Sequence, residues 1–357
     1  MRKESLDFLQ KLIDTPSPSG FEGPAQEVWL NRTSPFSDEI SVDVTGNVIA
    51  ALNPGGSPKI MLAGHCDEVG FMVKYISDEG YISFTPIGGV DIHIVPARRV
   101  AIHTSRGAVP GVVGKKPIHL QDPSSRSSQK LEWHSLWIDI GSGSRKETEK
   151  LVALGDPITF TDGFDRLAGD IVVGRAFDDK VGSFLVSEVV RILSKKKIKA
   201  ALYSVSTVQE ELGLRGAKTS AYWVDPDVGI AVDVTFASDH PEIDKKQVGQ
   251  ISVGSGPVVA RGANINPRVF ERILEVAGSE KIPCQVEPSP RATGTDANVI
   301  QMTRSGVAAG LVGIPNRYMH TPVEIISLKD LQNTAKLLAA YVQSLKPGDS
   351  FIPFGKR

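Results

Sequence analysis

The strongest constraint in this sequence is the run at 201–208, mostly apolar and β-branched, which breaks without polar tapering on Gln209, Glu210 and Glu211. Such a run reads as a buried strand. In open α/β sheets, ligand-handling groups collect at strand ends. Consecutive side chains on a regular strand face opposite ways, so Glu210 and Glu211 can serve one site only if the chain turns there, which Gly213 permits. One metal ligand and one general base are the roles open to such a split pair; seen alone, the pair also reads as a solvated acidic turn.

Other segments repeat the pattern. Residues 60–63 lead into Gly64, His65, Cys66, Asp67 and Glu68; a strand near 171–173 leads into 175–180; residues 228–232 end on Asp233. Between them the spacing turns helical. Leu6, Leu9, Leu12 and Ile13 share one face and stop at a Pro/Gly turn, a second amphipathic helix is expected over 24–31, and Phe184, Leu185, Val189 and Ile192 share a face of a helix over 182–195. Residues 39–44 and 47–52 flank Thr45-Gly46 as a hairpin. Helices over 267–277 and 328–345 and strands near 284–286 and 308–312 complete an α/β domain. From 69 to 165 the texture changes to short β runs separated by Gly/Pro turns, so a discontinuous α/β domain (1–69 and 166–357) interrupted by a small all-β insertion (70–165) is expected. Within the insertion, 120–131 is polar enough to be a mobile loop.

The chain has 357 residues, room for one large core and a second module. Its 40 Lys+Arg against 41 Asp+Glu leave no global field to attract nucleic acid or an acidic membrane. Two cysteines, Cys66 and Cys284, make no disulfide framework and fit a reducing compartment. The start lacks the apolar stretch of a secretory signal, and no segment approaches the ~18 apolar residues of a membrane span. A cytoplasmic protein with neither nucleic-acid nor membrane partner is the expectation.

The polar residues at these strand ends are His65, Asp67, Asp178, Glu210, Glu211 and Asp233, joined by His320 in the segment 317–322. Singly, each has an ordinary explanation: a hydrogen-bonded histidine, an N-cap at Asp178-Asp179, a turn cap at Asp233. Jointly, several acids meeting two histidines on one sheet edge would repel one another without a cation. Imidazole plus carboxylate is a natural donor set for zinc or cobalt, and a carboxylate bridging two ions ~3.5–4 Å apart recurs in aminopeptidases and phosphatases.

The ordered segments 64–70, 176–180, 209–217, 232–235, 294–297 and 317–324 resemble the motif set of the glutamyl-aminopeptidase-like family, which includes tetrahedral and deblocking aminopeptidases and some members labelled endoglucanases. The likeness spans nearly the whole chain, and so many motifs in order are far more specific than any one. It implies a mixed-sheet zinc-peptidase (phosphorylase/hydrolase-like) catalytic domain with an inserted PDZ-like dimerisation domain, and two divalent ions, Zn²⁺ or Co²⁺, per subunit. By the same resemblance His65 and Asp233 hold one metal, Glu211 and His320 the other, Asp178 bridges them, Glu210 is the general base and Asp67 orients His65. Cys66 replaces a more usual apolar residue, and Thr321 stands where Ser is common. Thr295 and Asp296 are candidates to line the substrate cleft, though Asp296 equally suits an N-cap. His119 lies on a stretch that matches the family's loop approaching a neighbouring active site, and equally suits a surface position.

The expected activity is therefore removal of N-terminal residues from short or unfolded peptides. Rival readings are a di-metal deacylase or deacetylase of small amides, a glycan hydrolase and, more remotely, a non-catalytic peptide binder. Trp133, Leu136 and Trp137 give the insertion an exposed-looking apolar surface that another subunit would cover, so a homo-oligomer built from dimers, a dodecamer by resemblance, is expected.

Overall fold

A computed structural model of the chain describes residues 1–121 and 130–354. Most of the expected mobile loop, 122–129, lies outside the described residues. In chain order the strands are β1 (Glu39–Val42), β2 (Val48–Leu52), β3 (Lys59–His65), β4 (Gly70–Ile76), β5 (Ile82–Ile87), β6 (Arg99–Thr104), β7 (Gly107–Lys115), β8 (Leu136–Asp139) and β9 (Pro157–Phe160). They continue as β10 (Asp165–Arg166), β11 (Ile171–Gly174), β12 (Ala201–Thr207), β13 (Val228–Phe236), β14 (Val258–Gly262), β15 (Gln285–Ser289), β16 (Ala308–Asn316) and β17 (Glu324–Ser327).

Eight strands form one mixed sheet in the order β1-β2-β12-β3-β13-β16-β14-β15. The apolar runs at 60–63, 201–208 and 228–232 lie side by side at its centre. β12, β3, β13 and β16 are parallel, so their C-terminal ends share one edge. The expected hairpin is β1–β2, which joins β12 antiparallel. β13 continues past Asp233 to Phe236, so that acid sits within the strand rather than at its end.

Both faces of the sheet are covered, and the alternation of strand side chains decides which residue serves which face. Ile60 and Leu62 pack with the helices Lys3–Asp14, Phe177–Leu193 and Leu328–Ser344, whereas Met61 and Ala63 pack with Ala217 and Ala221 of the helix Arg215–Val224. Each fully buried Leu, Ile or Phe contributes about 1.5–3 kcal/mol to this arrangement. One close approach has no alternative residue: a Cβ on Gly64 would come 2.3 Å from the Gly182 carbonyl carbon, and a Cβ on Gly182 would come 2.4 Å from the Val232 carbonyl oxygen. The two glycines let the helix Phe177–Leu193 lie directly on the sheet, which brings Asp178 to the C-terminal edge of the parallel strands.

The stretch between β3 and β10 folds as a closed barrel, in the order β4-β5-β8-β7-β6-β9, around its own apolar centre of Phe71, Ile82, Ile102, Ile138 and Ile158. This corrects the reading of Trp133 and Leu136 as a surface awaiting a partner, while Trp137 stays half-buried at the barrel surface. Leu136 is buried in the barrel, the Trp133 ring lies 6.0 Å from Phe71, and Trp137 lies 6.2 Å from Tyr81. Among the described residues no helix is long and apolar enough to cross a membrane.

Candidate metal centre

Three parallel strands and the segment after a fourth deliver the site. β3 ends on His65, β12 leads into Glu210 and Glu211, β13 carries Asp233, and the chain after β16 carries His320. The turn that splits the Glu pair is made at Gln209, whose φ is +54°, with Gly213 completing it at φ +115°. The structure thus brings both carboxylates to one cavity, although the decisive left-handed residue is Gln209 rather than the glycine the sequence suggested.

Asp178 stands at the centre. Its Oδ1 lies 3.2 Å from His65 Nε2, and its Oδ2 lies 3.2 Å from His320 Nε2. Glu211 Oε1 is 3.3 Å from the same His320 nitrogen. Two donor groups result, His65-Asp178-Asp233 and Asp178-Glu211-His320, each with ligand atoms within 4.8 Å of one another and sharing only Asp178. Nitrogen and carboxylate oxygen in this ratio suit a borderline divalent cation. Glu210 belongs to neither group, but its Oε2 reaches to 3.8 Å from His65 Nε2. Cys66 is buried and outside both groups.

Each histidine is fixed by its other ring nitrogen. His65 Nδ1 is 3.2 Å from the Asp67 carbonyl and 3.3 Å from Asp67 Oδ1, both acceptors, so Nδ1 carries the hydrogen and Nε2 faces the site. His320 Nδ1 donates to the Gly89 carbonyl at 2.7 Å, which turns its Nε2 inward in the same way. Asp67 does more than orient His65: it accepts the Ser19 hydroxyl at 2.6 Å and the backbone N–H groups of Glu210 at 3.0 Å and Glu211 at 3.2 Å. One buried carboxylate therefore sets the register of two strand ends.

Two positioning acids escaped the sequence reading. Glu324 accepts the backbone N–H of Asp178 and of His320, each at 2.9 Å, holding the segments of two candidate donors with one side chain. Asp179 accepts the His65 N–H at 3.2 Å and the Gly182 N–H at 3.0 Å. The β3–β13 ladder stops at Ala63 and Ala231, and Asp179 takes the strand N–H left over. Both lie inside the motif segments 176–180 and 317–324, yet neither ends an apolar run and nothing in the sequence assigns either a place in the site.

Electrostatics match the donor set. Burial, reinforced by Asp233, Asp296 and Glu211 and opposed by His65, pushes the Glu210 carboxyl up to about 10. Burial likewise raises Glu211 and Asp233. Burial works against a charged His320, but Asp178 and Glu211 outweigh it and lift the imidazole to about 11. His65 is raised by Glu210, Asp178 and Asp67 in spite of its burial.

The cleft in front of the centre has a volume of ≈ 350 Å³. Thr295 lines it. Asp296 lies behind, buried, with Oδ2 accepting the Thr207 hydroxyl at 2.7 Å. It precedes the helix Ala297–Gln301 without making a side-chain cap. His119 sits exposed in the short turn Ile118–Leu120 of the barrel and does not line this cleft.

Residues 46–337 match the family model described as M42 glutamyl aminopeptidase. The chain is 40% identical to a lysyl aminopeptidase of Pyrococcus furiosus, covering 97% of this chain and 99% of that protein. It superposes with a TM-score of 0.92 on the TET aminopeptidase of a marine-sediment Thaumarchaeota archaeon, at 34% identity over 96% of this chain and 97% of that one. Similarity extends to the Pyrococcus horikoshii TET1 peptidase, which can assemble into a tetrahedron or a large octahedral shell, with TM-score 0.86, 29% identity and coverage of 96% and 100%.

Proposed function

Because the chain belongs to the M42 glutamyl aminopeptidase family and is an aminopeptidase, we propose that its cleft removes single residues from the free N-termini of short or unfolded peptides, with His65 and Asp233 on one divalent ion, Glu211 and His320 on a second, and Asp178 between them. The observation that carries this reading is the split of Asp178, one oxygen toward each histidine. Two such ions, zinc or cobalt, would polarise the scissile carbonyl and acidify a water. Glu210, beside both donor groups but a member of neither, takes the proton from the attacking water and returns it to the leaving amine. Asp67 and Glu324 keep these groups in place, and Thr295 lines the path of the substrate. The acids at the deep end of the cleft receive the free α-amino group, which limits cleavage to the first residue.

The barrel, read as a PDZ-like dimerisation module, joins subunits in pairs and carries His119 toward a neighbour's cleft. Likeness to a tetrahedral peptidase supports a homo-oligomer; a tetrahedron with one dimer along each edge is a dodecamer. Two unpaired cysteines support a cytoplasmic setting.

Metal analysis combined with a panel of aminoacyl arylamides tests the reading. Chelation abolishes turnover and zinc or cobalt restores it. Turnover by thoroughly stripped protein, or hydrolysis confined to N-acylated amino acids, would replace it with another; cellulose hydrolysis that survives chelation would point to a glycan hydrolase.

A further inference from the structure

The loop that carries Glu210 and Glu211 is held by acceptors from far earlier in the chain. β12 pairs with β2 as far as Ser206 and with β3 as far as Thr207. Beyond that point four consecutive backbone N–H groups go to side chains. Val208 donates to Asn47 Oδ1 at 3.1 Å, Gln209 to Glu22 Oε1 at 3.1 Å, and Glu210 and Glu211 to the two oxygens of Asp67 at 3.0 and 3.2 Å. All three acceptors are buried.

Glu22 holds the residue on which the geometry turns. Gln209, at φ +54°, is left-handed, a conformation that a residue other than glycine keeps only where its surroundings impose it. A buried N–H left without an acceptor is strongly disfavoured, so the turn persists while the carboxylate stays within reach. The carboxylate is itself aimed. Glu22 Oε1 also accepts the Gly20 N–H at 2.8 Å, and Glu22 precedes the helix Gly23–Thr33. One turn further on, Gln26 donates to the Ser206 carbonyl at 2.8 Å and to the Gly46 carbonyl at 3.0 Å. The start of this helix is thus pinned to the end of β12 at two points.

We infer that Glu22 is a positioning residue for the general base: by accepting the Gln209 N–H it fixes the left-handed turn that presents Glu210 to the attacking water. The inference rests on the reading of Glu210 as that base and extends it to the N-terminal segment. Glu22 does not line the cleft. Glu211 has a cation to hold its side chain and Glu210 has none, so an error at the turn falls on the base. A reacting group displaced by about 1 Å from a remote site loses on the order of 10²-fold in rate.

The test uses the metal-loaded protein and an aminoacyl arylamide. Glu22→Ala should retain its cations and its circular dichroism while kcat falls about 10- to 100-fold with little change in KM. Two conservative variants separate reach from charge. Glu22→Gln keeps an acceptor oxygen at the same reach and should run near wild type; Glu22→Asp keeps the charge, withdraws the oxygens by one methylene and should stay slow. If Glu22→Ala does not fold, this pair carries the test. In the Glu210→Gln background Glu22→Ala should cost almost nothing further, because the group it positions is gone. Unchanged kcat in Glu22→Ala, metal lost in step with activity, an active Glu22→Asp beside a slow Glu22→Gln, or an equal loss in the Glu210→Gln background overturns the assignment and leaves the aminopeptidase reading intact. Inertness of the loaded wild type toward every aminoacyl arylamide removes that reading, and the inference with it.

Discussion

The Gly89 carbonyl accepts a hydrogen bond from His320 Nδ1 at 2.7 Å, joining the barrel to a candidate ligand 231 residues further along the chain. The barrel therefore contributes directly to the site of its own subunit, where the sequence offered only a reason to associate. A Cβ at Gly89 would stand 3.3 Å from His320 Nδ1, so Gly89→Ala should displace the ring by a few tenths of an ångström. We expect about 10- to 100-fold weaker retention of one cation, the usual scale for groups that orient a ligand, with unchanged circular dichroism. Normal metal content and affinity would show that His320 needs no such support. Excising residues 70–165 removes Gly89 as well and should abolish activity whether or not assembly survives.

The two adjacent glutamates should respond differently to the same change. Glu210→Gln should keep its metal and lose about 10²- to 10⁴-fold in turnover, the size of a general-base contribution. Glu211→Gln should chiefly lose metal, because Glu211 lies 3.3 Å from His320 Nε2 within a donor group. Equal metal loss in both variants would mean that the roles are wrongly divided.

Loading the centre should expel protons. Without cations, His320 is held protonated up to about 11 and the Glu210 carboxyl up to about 10, with His65, Glu211 and Asp233 also raised. His320 and Glu210 carry protons at neutral pH that a cation must displace, so affinity rises with pH and falls on acidification. Calorimetry in buffers of different ionisation enthalpy reads the release directly. Identical heats in all buffers would contradict it.

Behind the centre, Glu68 is buried against Arg175 and Lys180 and also accepts the Ser17 N–H at 2.9 Å. Burial opposes its charge, but Arg175 and Lys180 outweigh it and draw the carboxyl from 4.5 to about 2. A depressed folded-state value places this contribution above pH 4.5 and withdraws it as pH falls toward 2. Glu68→Gln leaves two buried cations without their counter-charge and should cost about 3–5 kcal/mol at neutral pH. Urea titrations should show the gap between wild type and variant narrowing through that acid range. A gap that stays constant would mean that Glu68 acts through packing alone.

His65, Glu211 and Asp233 were legible because each interrupts or follows an apolar run, and parallel strands put those positions on one edge. Asp178 and His320 emerged from their company and from ordered motifs. Gly89 left no trace, since it acts through a backbone carbonyl that every residue possesses. Glu22 sits in a turn between two helices, where an acid is ordinarily solvated; only the fold brings it against the end of β12. Trp133 and Leu136 were misjudged because a short apolar run reads alike whether its own barrel or another subunit will bury it.

The two candidate donor groups draw on residues scattered from His65 to His320. A nascent chain emerges from its N-terminus onward, and a ribosome-bound intermediate that stops short of His320 holds one donor group without the other. Abortive fragments share that defect. On the two-ion reading, proteolytic competence arrives only near the end of synthesis, and half-made copies hydrolyse nothing.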